Sequence, residues 1–242
     1  MRVFIGLPLP MAGKTLAGEF RNTLGYDSPG LVWLAPDMLH LTLSFLGELD
    51  DASLAAARRA LSSFGAPVEP DAGKPDHPRD ESSPPSFRPR RLSFFPKGGQ
   101  ARVLVLTDEA ETQGNGQGPK PPAFAETGLE IVHSRLCRAL AREAKRSGIP
   151  ALDTDWPDAD LEGSRPRRAF TAHISLARLK GGLRRPNFEA DRLEKAAALI
   201  AEARPLLLDR LVLFESRLGR AGASYEILEE LSLSAAGANS PL

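Results

Sequence analysis

Apolar and polar positions alternate along "LHLTLSFLG" (residues 39–47) and again along "AHISLARL" (172–179), the two-residue period of a strand with one buried face. Leu41 and Leu43 share one side of the first stretch, and Ile174 and Leu176 share one side of the second. The opposite sides carry His40, Thr42 and Ser44 in one case and His173 and Ser175 in the other. The same reading gives strands at 2–9 (stopped by Pro10) and 31–35, and an amphipathic helix at 12–24. Asp50 or Asp51 is placed to cap a further helix, whose apolar stripe is marked by Leu54, Leu61 and Phe64.

Residues 66–90 interrupt this pattern with Pro, Ser, Gly and charge. Such a segment buries too little apolar surface to offset its ordering entropy, so it reads as a mobile insertion. Strands resume at "RLSFF" and "ARVLVL", joined through Lys97–Gln100. Two more Gly/Pro-rich or charged insertions, 111–124 and 151–165, flank a long helix at 127–147 that stops at Gly148. After the second motif strand come a helix at 188–203 and a hairpin, "LLLDRLVLFESRL" and "ASYEILEELSL". Strands and helices mix without regular alternation, which predicts an α+β fold with mainly antiparallel sheet in one domain over 1–242.

Composition adds mainly exclusions. The 242 residues have a formal net charge of zero, so no global field for long nucleic acid exists and any such substrate must be held locally. The single cysteine, Cys137, excludes an internal disulfide and reads as a helix core position in a reducing compartment. The start "MRVFIGLPLP" does not resemble a signal peptide, and no apolar run is long enough to span a membrane. A cytoplasmic monomer is expected.

Only four histidines exist, and two occupy equivalent places in the only two strands of this type, a pattern of weak internal duplication. His77 falls in the first insertion, and His133 lies on the long helix. An imidazole titrates near neutral pH, so two of them facing across a cleft can divide the work of acid and base. Hydroxyls beside them can donate to the oxygens of a phosphate held between. The set lacks the carboxylate or thiolate a zinc site usually adds, so no metal or other cofactor is expected.

"HLTLSFLG" and "HISLAR", in that order, resemble the two H-x-[T/S]-x signatures of the two-histidine phosphoesterase superfamily. Within it the chain is similar to the RNA 2′,3′-cyclic phosphodiesterases, also called 2′-5′ RNA ligases (LigT/ThpR-like). "RVFIGLPLP", "FFP…ARVLVL" and "LFESRLGRAGASYEIL" extend the likeness over most of the chain. The resemblance implies a bilobal fold of two mainly antiparallel sheets, helices outside and a cleft between the lobes. It implies hydrolysis of a terminal 2′,3′-cyclic phosphate to a 2′-phosphomonoester, with 2′-5′ ligation as the reverse. The substrate would be an RNA with that terminus or a small cyclic nucleotide. His40 and His173 would be the catalytic pair and Thr42 and Ser175 the phosphate ligands. His173 as base and His40 as acid is one arrangement, and the reverse stays open.

The resemblance also points to Phe45 and Arg178, each five residues after its histidine, and more weakly to Tyr225 and Ser216, as nucleotide contacts. Strict alternation puts Phe45 and Arg178 on the face opposite the histidines, unless the strand bulges. Ser175 stands where Thr is commoner in the family and Ala172 where Pro is frequent. Basic "RPRR" at 88–91 and 165–168 reads as solvated loop charge or as a rim attracting RNA phosphate. The acidic run at 153–162 lacks the spacing of a calcium loop. Two other readings remain: a non-catalytic RNA or nucleotide-binding module using the same cleft, and a metal-dependent phosphatase.

Overall fold

The computed structural model describes residues 1–64, 84–96, 100–109, 128–149, 170–181, 186–219 and 222–233. Five consecutive buried residues, Val3 to Leu7, run along the first strand, β1 (Arg2–Pro8). That run fits its place between β3 (His40–Glu48) and β9 (Arg210–Gly219), where both of its edges and both of its faces are covered. Pro10 precedes α1 (Met11–Leu24), which buries Gly13, Ala17, Phe20 and Leu24 at three- and four-residue spacing. β2 (Leu31–Trp33) and a single 3-10 turn at Pro36–Met38 then lead into β3.

Asp50 is the residue that caps α2 (Asp51–Phe64): its Oδ1 accepts the Ser53 backbone N–H at 2.8 Å. The Ser53 side chain and backbone bonds hold the Asp50 carboxyl below its usual value. Small residues Ala56, Ala57 and Ala60 on the buried face of α2 allow close approach to α3 (Gly128–Ser147). Arg59 Nε donates to Glu143 Oε1 at 2.6 Å across that contact. Burial pushes the Glu143 carboxyl up, but bonds from Arg59, Arg146 and Ser147 outweigh it and hold the group at about 2. Leu129, Leu136, Cys137 and Leu140 face the core from α3, so Cys137 is indeed interior.

The remaining strands are β4 (Ser86–Phe87), β5 (Arg91–Phe95), β6 (Val103–Thr107), β7 (His173–Leu179), β8 (Leu206–Leu207) and β10 (Gly222–Ser232), with α4 (Ala190–Glu202) before β8. One path runs β10-β9-β1-β3-β7-β6-β5, with β2 also on β7, and every pairing is antiparallel. Among the described residues, Leu41↔Ile174 between β3 and β7 is the one ladder pair that links its two halves. Two sheets are expected from the resemblance. The described strands form two halves hinged at one register pair, plus the small sheet β4-β8.

Three local expectations change. Residues 84–90 are not part of an unpaired insertion: Phe87 is fully buried and β4 pairs with β8. An apolar side chain and a paired edge give this end of the stretch its burial. The stretch "LLLDRLVLFESRL" is not one strand but breaks at Leu208 and Asp209, β8 joining one sheet and β9 the other. β3 continues through Gly47, which sits at φ 77°, to Glu48. His77, the second "RPRR", the acidic run and the insertions at 111–124 and 151–165 lie outside the described residues, as does most of 66–90.

Candidate active site

His40 and His173 are held in the same way. Each ring donates from Nδ1 to the backbone carbonyl two residues earlier, His40 to Met38 and His173 to Thr171, both at 2.8 Å. A carbonyl can only accept, so the neutral ring carries its proton on Nδ1 and leaves Nε2 as the free acceptor. The pair Leu41↔Ile174 fixes the register of the two motif strands. In an antiparallel pair the residue before one partner lies across from the residue after the other. His40 is therefore set toward Ser175 and Thr42 toward His173. Neither hydroxyl has a hydrogen-bond partner among the described residues. Both side chains are half-buried, open to a ligand.

Bulges decide the fate of the weaker candidates. Gly6 pairs with Thr42 but Ile5 with Ser44, so β3 carries an extra residue there. The alternation slips: Leu43 and Ser44 are both buried, and Phe45 emerges on the histidine face, 70% exposed. The sequence reading that put Ser44 beside His40 and Thr42 is thereby corrected. β7 repeats the device at the same place. Val105 pairs with Ser175 but Leu104 with Ala177, so Leu176 and Ala177 are both buried and Arg178 emerges exposed. Arg178 Nη2 donates to Tyr225 Oη at 3.5 Å, bridging the two halves across the site.

His40 stands among aromatic rings, of which the sequence singled out Tyr225 and Phe45 but not Phe4 or Phe214. Phe4, Tyr225 and Phe214 lie 4.8, 5.2 and 5.9 Å from it between centroids, and Phe45 is 6.0 Å from Phe4. Burial among these rings lowers the His40 pKa; the Met38 carbonyl opposes, and the nearby positive charges of His173 and Arg178 add to the lowering. His173 instead faces Phe95 at 5.0 Å. Gly6 completes the His40 side. A Cβ there would lie 2.8 Å from the Leu41 carbonyl oxygen and 3.3 Å from His40 Cδ2, so the ring and the strand are seated against its bare backbone. Phe4 and Phe214 become legible only when β1, β3 and β9 are known to be neighbours.

The predicted residues thus divide. His40, Thr42, Phe45, His173, Ser175, Arg178 and Tyr225 converge on one face. Ser216 is the cross-strand partner of Tyr225 on β9, so the two side chains share a face of the hairpin at the margin of this group. His133 is elsewhere: it stacks on Phe170 at 4.2 Å and lies 3.6 Å from Cys137 Sγ. Of the first "RPRR", Arg90 is paired with Asp108 at 3.1 Å. Among the described residues no three of His, Cys, Asp and Glu converge as metal ligands would.

Paired histidines, each with a hydroxyl across from it, on two halves of an antiparallel sheet define the class of site. Residues 7–71 match the family described as LigT like Phosphoesterase, a range that contains the first motif and stops before the second. No curated protein matches the chain. Among solved structures, TT0787 of Thermus thermophilus shares 23% identity with a TM-score of 0.57, over 96% of this chain and 98% of that one. E. coli LigT in its apo form shares 18% identity with a TM-score of 0.52, over 96% of each chain. A further structure described as a phosphoesterase gives 19% and 0.52, over 96% and 98%. The fold is the one these proteins share. Together with the family match it supports the two-histidine phosphoesterase superfamily for this chain. Among the described residues no helix is long and apolar enough to cross a membrane.

Proposed function

We propose that the cleft hydrolyses a 2′,3′-cyclic phosphate at the end of an RNA, or of a small nucleotide, without a metal ion. The observation that carries this reading is the crosswise pairing of two carbonyl-pinned histidines with two unpartnered hydroxyls about the Leu41↔Ile174 seam. One histidine takes a proton from water through Nε2 as the water oxygen bonds to phosphorus. The P–O3′ bond breaks, and the other histidine gives its proton to O3′. The products are a 2′-phosphomonoester and a 3′-hydroxyl, and the two histidines have exchanged protonation states. Thr42 and Ser175 donate to the non-bridging oxygens, where charge grows in the transition state.

Burial lowers the His40 pKa and so favours its neutral form, the form a base needs, and the acid's part is then assigned to the other motif histidine, His173. Of the two arrangements the sequence left open, this is the second. Phe45 and Tyr225 offer ring faces to the nucleoside, and Arg178 its charge to the phosphate. The ligands of a similar protein support a nucleotide as the kind of ligand: E. coli LigT has been crystallised with 3′-AMP and with NADP+.

The test is turnover of a short RNA ending in a 2′,3′-cyclic phosphate, in EDTA, by the wild type and by His40→Ala and His173→Ala. Each substitution is expected to cost on the order of 10² to 10⁴ in rate. A nitrophenyl phosphodiester, whose leaving group needs no acid, then separates the roles: it should rescue His173→Ala and not His40→Ala. A wild type that binds the RNA but does not turn it over would leave a binding module. Turnover lost in EDTA would leave a metal-dependent phosphatase.

A further inference from the structure

Over much of the surface, cationic side chains stand beside carboxylates: Arg217 is 2.7 Å from Glu226, Arg210 3.4 Å from Glu230 and Lys195 3.5 Å from Asp191. One place differs. Arg102, Arg178 and Lys180, all exposed, line an open trough of about 380 Å³ at the end of the β6–β7 ladder, and among the described residues no acidic one lines it with them. None of the three makes an ion pair among the described residues, and Arg102 and Lys180 make no side-chain hydrogen bond there. The backbone beneath is tied down. Leu179 N–H donates to Arg102 O and Lys180 N–H to Gly30 O, both at 2.8 Å.

Three positive charges without an acidic partner among the described residues, on a chain of zero net charge, make a local positive potential that attracts anions. Its position ties it to the cleft, because Arg178 also reaches Tyr225, whose ring lies beside His40. An anion held by Arg102 and Lys180 therefore sits further along β7 than one held between the histidines. We propose that the trough is a second phosphate subsite, taking the phosphodiester one nucleotide to the 5′ side of the reacting end, so that the protein selects oligonucleotide ends over mononucleotides. This rests on the reading of the cleft above and names its substrate class.

The experiment measures binding of a trinucleotide with a 3′-phosphate, and of the matching nucleoside 3′-phosphate, to the wild type and to Arg102→Gln/Lys180→Gln. The wild type is expected to favour the trinucleotide by tenfold or more, and the double variant to bring that ratio close to one. The salt dependence of trinucleotide binding should also weaken, by a logarithmic slope of about 0.7 for each phosphate no longer neutralised. Arg102→Lys, which keeps the charge, should retain most of the preference. Lys180→Gln alone, at an exposed position, is expected to lower the ratio partly and covers the case of a double variant that does not fold. A ratio near one in the wild type, or a ratio unchanged in the double variant, overturns the subsite. Turnover of the cyclic phosphate is measured in parallel. No turnover with the ratio intact sinks the catalytic reading and spares the trough, and turnover with an unchanged ratio does the opposite.

Discussion

Among the described residues, Leu41 and Ile174 are the single register pair that joins the two halves of the sheet, and each directly follows a motif histidine. Both are fully buried. The seam that holds the halves together therefore also sets the spacing of the two histidines. Outside that pair β3 and β7 have no further ladder pair with each other among the described residues.

The crosswise arrangement makes the two hydroxyls equivalent in kind. Thr42→Val and Ser175→Ala should each remove about 1.5–3 kcal/mol of stabilisation from a charged phosphate, on the order of ten- to a hundredfold in kcat/KM. Kinetics on a cyclic-phosphate RNA checks this. A loss confined to one of the two would show that a single strand binds the phosphate.

Arg178 bears on His40 as a charge. Its guanidinium disfavours a second positive charge nearby, so Arg178→Gln should raise the His40 pKa. Burial is the larger cause and remains, so the value should stay below the ordinary 6.5. An NMR titration of the His40 ring reads it directly. A fall, or no change, would mean that the side chain is turned away from the site in solution.

Gly6 is expected to tolerate no branched side chain. Gly6→Val would press on the Leu41 carbonyl and the His40 ring, at an overpacking cost of about 1–3 kcal/mol. Its mark is a kcat loss that exceeds what the drop in melting temperature explains, because the ring that must move is the His40 imidazole itself. Full activity in a destabilised variant would contradict that seating.

Acid should loosen the α2–α3 contact. The Glu143 carboxyl sits at about 2 when folded against 4.5 for a free group, so its stabilisation is present above about 4.5 and is lost as pH falls through about 2. Glu143→Gln should be less stable than the wild type at pH 6, and the gap should narrow toward pH 3. Denaturant unfolding at the two pH values measures this. A constant gap would assign the effect to packing alone.

The alternation of residues 39–47 and 172–179 determined that each strand has one buried face and that an imidazole and a hydroxyl share the other, because side-chain direction in a strand is a local, period-two property. Turn and cap signals likewise placed α1, a cap at Asp50 or Asp51 and the end of α3, each a matter of a few neighbouring residues. Phe45 and Arg178 follow from family resemblance but run against simple alternation. A bulge is set by how one strand registers on its neighbour, and that neighbour is β1 in one case and β6 in the other. The aromatic surroundings of His40 needed Phe4, Phe214 and Tyr225 from three strands distant in the chain. The cationic trough needed Arg102 from β6's entry beside Lys180 from β7's exit. Such convergence is decided only when the sheet closes, because nothing in a local stretch of chain records which other strand it will pair with.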